Sequence, residues 1–387
     1  MAQFDASART FVRAEGNYLF DSRGRRIFDA ISSVWTTLHG HCRPEITSAI
    51  AEQARMLDQS TLLGATHPRG EELAERLSDL TDLDRAFFAS DGASAVEAAL
   101  KIALQFWQAD GKPERNRFVH LIDAYHGDTA GAMSVSGIAV FKSRFSAITF
   151  ETRAIGEPLD EEGVAAFIVE PIVQAAAGMR IVPRDRYESL KKTSALLIVD
   201  EIATGFGRTG TCFAFEQLDL KPDIICLGKS LTGGALPLSA TMVSQRIYDA
   251  FLGGIGENKQ LFHGHSYAGN PIACAAALAN LEIFERDRSL DRARNLATIL
   301  QREVAALNAL PKVRAVRNAG LMCGVELDPA QFDSSESLTA GWTVANALFD
   351  CGYFTRPIGD VVQFVPPLSS TDMEITGFCR SLEEVLR

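Results

Sequence analysis

Cysteine is scarce and scattered. The 387-residue chain has 7, at Cys42, Cys212, Cys226, Cys274, Cys323, Cys351 and Cys379, and none forms a C-x-x-C pair. That spacing speaks against a disulfide framework and a zinc site, and predicts reduced thiols in a cytoplasmic protein. Long apolar runs are missing as well. The longest are of core-strand length, such as Ala195 to Val199, whereas a membrane-spanning helix needs roughly 20 residues. The start, MAQFDASARTF, has no basic stretch followed by an apolar one, so no signal peptide is expected. Positive charge is in deficit: 38 basic residues against 49 acidic ones give a formal charge of −11. A nucleic-acid surface is therefore not expected, although a locally positive site for a small anion stays open. No internal repeat, low-complexity tract or long Pro/Gly linker interrupts the chain.

What is present is ordinary globular material. Hydrophobic residues make up 47% and charged ones 22%, which excludes global disorder. The length suits a large α/β domain with a smaller appendage. Residues 17–30 read as a hairpin about Asp21-Ser22-Arg23-Gly24, and 44–58 as a helix. From 71 to about 275, apolar runs alternate with helical stretches. The runs are Ala86–Ala89, Phe118–Ile122, Ala166–Val169, Ala195–Val199, Ile224–Leu227 and Ala240–Val243. Near-continuous apolar strands separated by crossovers predict a mostly parallel sheet covered on both faces. Leu290, Ala293, Leu296, Leu300, Val304 and Leu307 then mark one face of a long helix. Strand-like pieces around 313–316, 323–327, 353–356 and 361–365, with helices near 341–350 and at the end, predict a small α+β unit.

Two motifs mislead. Gly205-Phe-Gly-Arg-Thr-Gly210 spells G-x-G-x-x-G, but Asp200 to Thr204 separate it from the strand, and Thr211-Cys-Phe-Ala-Phe is not helical in pattern. It reads as a glycine-rich turn. Gly228-Lys229-Ser230 resembles the end of a P-loop, but Asp223 stands where the first glycine belongs. Nucleotide-dependent oxidoreductase and NTPase readings both fail on these points.

A different constellation survives. Asp200 ends the strand Ala195–Val199, and Lys229 follows the strand Ile224–Leu227. Ligands of an open parallel sheet sit at the carboxyl ends of its strands, so both residues should face one crevice. Glu201 follows Asp200, and Glu170 ends another strand. A lone lysine is usually a solvated side chain, but one at a strand end beside carboxylates suits Schiff-base chemistry. Ser90-Asp-Gly-Ala-Ser94 opens a helix after a strand, which makes it either a phosphate site or an ordinary N-cap. Tyr125-His126-Gly127 puts an aromatic at another strand end, where rim packing and ring stacking are both open.

These residues, with Val96-Glu-Ala-Ala-Leu-Lys101, Glu170-Pro-Ile-Val-Gln174 and His263-Gly-His-Ser-Tyr-Ala-Gly-Asn-Pro271, resemble the class III (ω-type) pyridoxal-phosphate aminotransferases. The likeness runs from about residue 15 to the end. It implies fold type I: a large domain with a mostly parallel seven-stranded sheet, expected over 46–280, and a smaller α+β domain built from 1–45 and 281–387. It also implies roles. Lys229 would be the Schiff-base lysine and proton shuttle, and Asp200 the partner of the ring nitrogen. Tyr125 and Ile202 would cover the two ring faces. Gly92 and Ala93 would bind the phosphate with backbone N–H groups, helped by Ser94. Glu170 would lie near the cofactor. His265 and Ser266 would reach the phosphate of the other subunit, which requires a homodimer with shared sites. Trp35 and Gly264 would line the substrate tunnel, and Arg356 would pair with a substrate carboxylate; plain core packing for Trp35 and a surface ion pair for Arg356 are the bland alternatives. Within the class, Ala203–Gly210, Tyr125–Thr129 and Arg356-Pro-Ile-Gly359 point to the branch that aminates 8-amino-7-oxononanoate in biotin synthesis, with S-adenosylmethionine as the expected donor. Another ω-aminotransferase, acting on diamines or ω-amino acids with a 2-oxo acid, is the alternative. Two departures bear on the donor: the family's His-Pro-Tyr-Thr-like stretch is missing, and Val34-Trp35 replaces paired tryptophans.

Overall fold

The structure is a computed structural model that describes residues 8–156, 161–254, 256–333 and 338–387. Its main layer is a seven-stranded sheet. The strands are β1 (Arg85–Ala89), β2 (Arg117–His120), β3 (Arg153–Ala154), β4 (Val164–Val169), β5 (Leu196–Asp200), β6 (Ile224–Leu227) and β7 (Ser239–Val243), in the spatial order β1-β7-β6-β5-β4-β2-β3. Every residue of β4, β5, β6 and β7 is buried, as strands covered on both faces must be. β5 pairs in parallel with β4 and β6, while β7 pairs antiparallel with both β6 and β1. The mostly parallel expectation therefore holds, with β7 the reversed strand.

Helices cover the faces. Gly92–Ala109 buries Val96, Ala99, Leu100, Ala103 and Phe106 against one side. Pro271–Arg286 buries an alanine-rich surface, and the smallness of those side chains lets it approach Pro44–Met56 closely. The N-terminal hairpin forms as expected from Tyr18–Asp21 and Arg26–Asp29. Its second strand also pairs in parallel with Tyr353–Phe354, so residues far apart in sequence share a four-stranded sheet. A three-stranded sheet joins Val313–Ala319, Met322–Leu327 and Val361–Phe364. The Ser289–Ala305 helix buries Ala293, Leu296, Leu300 and Val304 as its periodicity predicts, and Asp372–Leu386 packs beside it.

Local boundaries differ where turns intervene. The expected strand 118–122 stops at His120, because Asp123 adopts a left-handed φ of 61° and leaves Ile122 exposed. The Gly205–Gly210 stretch is a run of turns followed by a short 3-10 helix at Ala214–Leu218, so no dinucleotide fold forms there.

Candidate active site

β5 and β6 lie side by side and point the same way, with Asp200 in register with Cys226. Asp200 is the last residue of β5, and Lys229 stands two residues past the end of β6. The topology thus delivers both to one crevice at the carboxyl edge of the sheet. That crevice is a cavity of about 480 Å³, and its lining includes Trp35, Gly92, Ala93, Tyr125, Glu170, Asp200, Ile202 and Lys229. Eight residues singled out in the sequence meet there.

Lys229 has a left-handed φ of 44°, an uncommon conformation for a residue with a side chain. Burial depresses the pKa of its amine; the charges of Asp200 and Glu170 oppose that shift, and Arg208 adds to it. A larger neutral fraction makes a better nucleophile and proton acceptor. The amine Nζ sits 4.7 Å from the centre of the Trp35 ring.

Both oxygens of Asp200 are occupied. Oδ1 accepts from the Ile202 backbone N–H at 3.0 Å, and Oδ2 lies 2.7 Å from His126 Nδ1. The His126 ring is buried, its Nε2 has no partner among the described residues, and its backbone N–H donates to Ser136 Oγ. Glu170 is buried too. It accepts from the backbone N–H groups of Tyr125 at 2.9 Å and Ala175 at 3.3 Å, and burial pushes its pKa up to about 7. The Tyr125 phenol is bonded to Asp128, and burial with that carboxylate raises its pKa. Glu201, by contrast, turns away from the cavity to bind Thr204 Oγ1 and the Phe215 N–H, and burial pushes it also to about 7.

The first turn of the Gly92–Ala109 helix faces the cavity. A Cβ on Gly92 would stand 2.9 Å from two carbons of Ile202, and one on Gly127 would stand 2.5 Å from the Ala93 Cβ. Only glycine permits so close an approach. The N–H groups of Gly92 and Ala93 have no partner within the helix, which leaves an anion cradle. Asp91 is the N-cap: its carboxylate takes both the N–H and the hydroxyl of Ser94 at 2.9 Å. An N-cap and a free anion cradle thus coexist, divided between neighbouring residues. Ser94 is committed to Asp91 and does not line the cavity.

Trp35 rides on an unusual turn. Ser32, Ser33, Val34 and Trp35 have φ of 49°, 48°, 65° and 68°, four consecutive left-handed residues without a glycine. Such a conformation costs roughly 1–2 kcal/mol per residue. The ring itself is fixed by Nε1 donating to Gln363 Oε1 at 3.0 Å.

Besides Ser94, four predicted residues lie outside the cavity lining. Arg356 is exposed and makes no hydrogen bond or ion pair among the described residues. Its charge nevertheless reaches the Tyr125 phenol. Gly264, His265 and Ser266 stand on a separate loop: Gly264 packs on Leu63, His265 edges onto Phe87, and the Ser266 carbonyl accepts from Gln59. Sequence reasoning assigned no role to His126, Asp128 or Arg208. His126 lay inside the Tyr-His-Gly stretch, where a histidine beside a strand-end carboxylate was the available signal.

An amine of depressed pKa, a buried carboxylate and a helix N-terminus with free N–H groups line one cavity, a set of groups that fits pyridoxal phosphate. The fold and this arrangement define a pyridoxal-phosphate enzyme of fold type I. Comparison with known proteins narrows the class. The model of the family described as "Aminotransferase class-III" matches residues 3–386. The adenosylmethionine-8-amino-7-oxononanoate aminotransferase of Anoxybacillus flavithermus is 38% identical, over 100% of this chain and 93% of its own. The solved structure of the protein of that name from Methanocaldococcus jannaschii is 39% identical, has a TM-score of 0.92, and is aligned over 99% of this chain and 93% of its own. An amine transaminase from an uncultivated Pseudomonas species, solved with pyridoxal phosphate bound, is 32% identical with a TM-score of 0.91, over 100% and 96% of the two chains. The chain belongs to the class-III aminotransferases, and pyridoxal phosphate is its cofactor.

Proposed function

We propose that this aminotransferase converts 8-amino-7-oxononanoate to 7,8-diaminononanoate in biotin synthesis, with S-adenosylmethionine as amino donor. The observation that carries the reading is Arg356: a guanidinium without a partner among the described residues, whose charge reaches the Tyr125 phenol at the cavity. A guanidinium fork matches a carboxylate, and this substrate bears its carboxylate far from the reacting ketone. The names of the relatives above support the same substrate.

When bound, pyridoxal phosphate supplies the electron sink for breaking the C–H bond beside the transferred amine. The chain does the rest. Gly92 and Ala93 would offer N–H groups to its phosphate. Asp200, steadied by His126, would hold a proton on its ring nitrogen, and Tyr125 and Ile202 would hold the ring between them. Glu170 orients Tyr125 through the backbone. Lys229, whose amine burial shifts toward the neutral form, would be the base that accepts and returns the substrate's proton. Trp35 gives the aliphatic chain an apolar wall.

The assembly is a homodimer with shared sites. Leu63, Phe262 and Tyr267, which flank the Gly264–Ser266 loop, are 63%, 64% and 68% exposed, and a second copy would cover them. In that dimer Gly264, His265 and Ser266 serve the neighbour's tunnel and phosphate. A cytoplasmic setting is supported by seven free thiols; no helix among the described residues is long and apolar enough to cross a membrane.

The test is a donor screen with 8-amino-7-oxononanoate as acceptor, read by mass spectrometry of the diamine product. Formation of 7,8-diaminononanoate with S-adenosylmethionine is the expected result. Turnover of simple amines with pyruvate, and none of the oxononanoate, would favour the broader ω-aminotransferase reading instead.

A further inference from the structure

Arg208 is fully buried and forms no ion pair among the described residues; burial lowers its pKa, and only the charge of Asp29 is seen to oppose that. A buried guanidinium of this kind is costly to keep, so what its hydrogen bonds hold matters. Nη2 donates to the Thr37 carbonyl at 3.0 Å, and Nη1 to Ser32 Oγ at 3.3 Å and the Pro366 carbonyl at 2.8 Å. Ser32 and Thr37 bracket the left-handed turn that carries Trp35. From the other side, Asp29 accepts from Ser33 Oγ at 2.8 Å. The bond from Trp35 to Gln363 sets the ring but not the backbone beneath it. We propose that Arg208 is a positioning residue: its guanidinium clamps the strained Ser32–Trp35 turn to the Pro366 segment and thereby fixes Trp35 over Lys229. The Gly205–Gly210 loop is then a bracket for the cavity wall. A lysine could not replace Arg208, because an ammonium is a point charge and cannot span three fixed acceptors as a planar fork does.

The clamp can be separated from a general core role by relieving the strain it opposes. Val34 is 38% exposed with a φ of 65°. Val34→Gly therefore removes little packing and makes the left-handed turn cheap. Acrylamide quenching of Trp35 fluorescence, taken as the difference from Trp35→Phe, is measured on the full-length protein before and after loading with pyridoxal phosphate. Amino-donor turnover is measured alongside. Arg208→Met should make Trp35 accessible to acrylamide and lower kcat/KM by roughly 10–100-fold, the scale of a wall displaced by about 1 Å. Adding Val34→Gly should restore part of both losses. Arg208→Lys, which keeps the charge, should behave like Arg208→Met and serves where the latter does not fold. Lost turnover with Trp35 still shielded would overturn the proposal, since Arg208 would then act on substrate or cofactor directly. Failure of Val34→Gly to restore anything would overturn it too. The quenching result needs no substrate, so it stands apart from the choice of oxononanoate.

Discussion

Replacing His126 with phenylalanine should slow transamination without abolishing it. His126 and Asp200 are 3% and 5% exposed, and their 2.7 Å contact is buried between the sheet and the Gly127 turn. Phenylalanine keeps the ring's shape and removes one of the two groups that hold the carboxylate; the Ile202 N–H remains at 3.0 Å. A hydrogen bond to a charged group is worth about 1.5–3 kcal/mol. If that bond acts in the transition state, its loss lowers the rate by roughly 10–100-fold. Asp200→Asn removes the charge itself and should cost far more. The assay is the single-turnover half-reaction with the amino donor, followed by absorbance of the loaded cofactor, with urea unfolding run beside it to separate stability from rate. A His126→Phe rate within about twofold of the parent would refute the coupling. A loss equal to that of Asp200→Asn would show that His126 does more than position.

Arg356→Ala should raise KM for the oxononanoate strongly and leave cofactor loading unchanged, which steady-state kinetics and the visible spectrum report; an unaltered KM removes Arg356 from the site. Mixing inactive Lys229→Ala with an inactive variant of the Gly264–Ser266 loop should recover activity through mixed dimers, because one shared site then has both intact halves; no activity above either parent means self-sufficient protomers. Glu201 is held near a pKa of about 7 by burial, above the ordinary carboxylate value. The folded chain therefore binds that proton more tightly than the unfolded one, and the stability it contributes is full below about pH 4.5 and lost as pH rises to about 7. Glu201→Gln should flatten that slope by no more than about 3 kcal/mol in urea midpoints at pH 5 and 7; an unchanged slope contradicts it.

The sequence displayed the site's skeleton because strand ends are readable. Apolar runs such as Val164–Val169 are buried on both faces, and the polar residue that stops each run marks the carboxyl edge. Asp200 and Glu170 are such residues, Lys229 follows its run after one glycine, and Gly92 stands at the helix start that follows β1. Strand direction was not readable: Ser239–Val243 is as apolar as its neighbours, and only pairing reveals that it runs backwards. Arg153–Ala154 is too short to leave a pattern. The left-handed turn at Ser32–Trp35 was hidden because left-handed turns are read from glycine, and its four residues include none. Arg208 lay in a glycine-rich turn, where a charged residue reads as solvated; its burial depends on Thr37 and Pro366, distant in sequence. Ser94 carried the letters of a phosphate ligand, but Asp91, three residues earlier, takes its hydroxyl.

The most direct test of the account is the position of the cofactor's covalent attachment. The purified protein, loaded with pyridoxal phosphate, is reduced with borohydride, digested and mapped by mass spectrometry. Lys229 stands opposite Asp200 with its amine desolvated against Trp35, so the reduced adduct should sit on the Lys229 peptide. Lys229→Ala should show no such adduct and no transamination. An adduct on any other lysine, or undiminished turnover by Lys229→Ala, would contradict the assignment of this cavity as the active site.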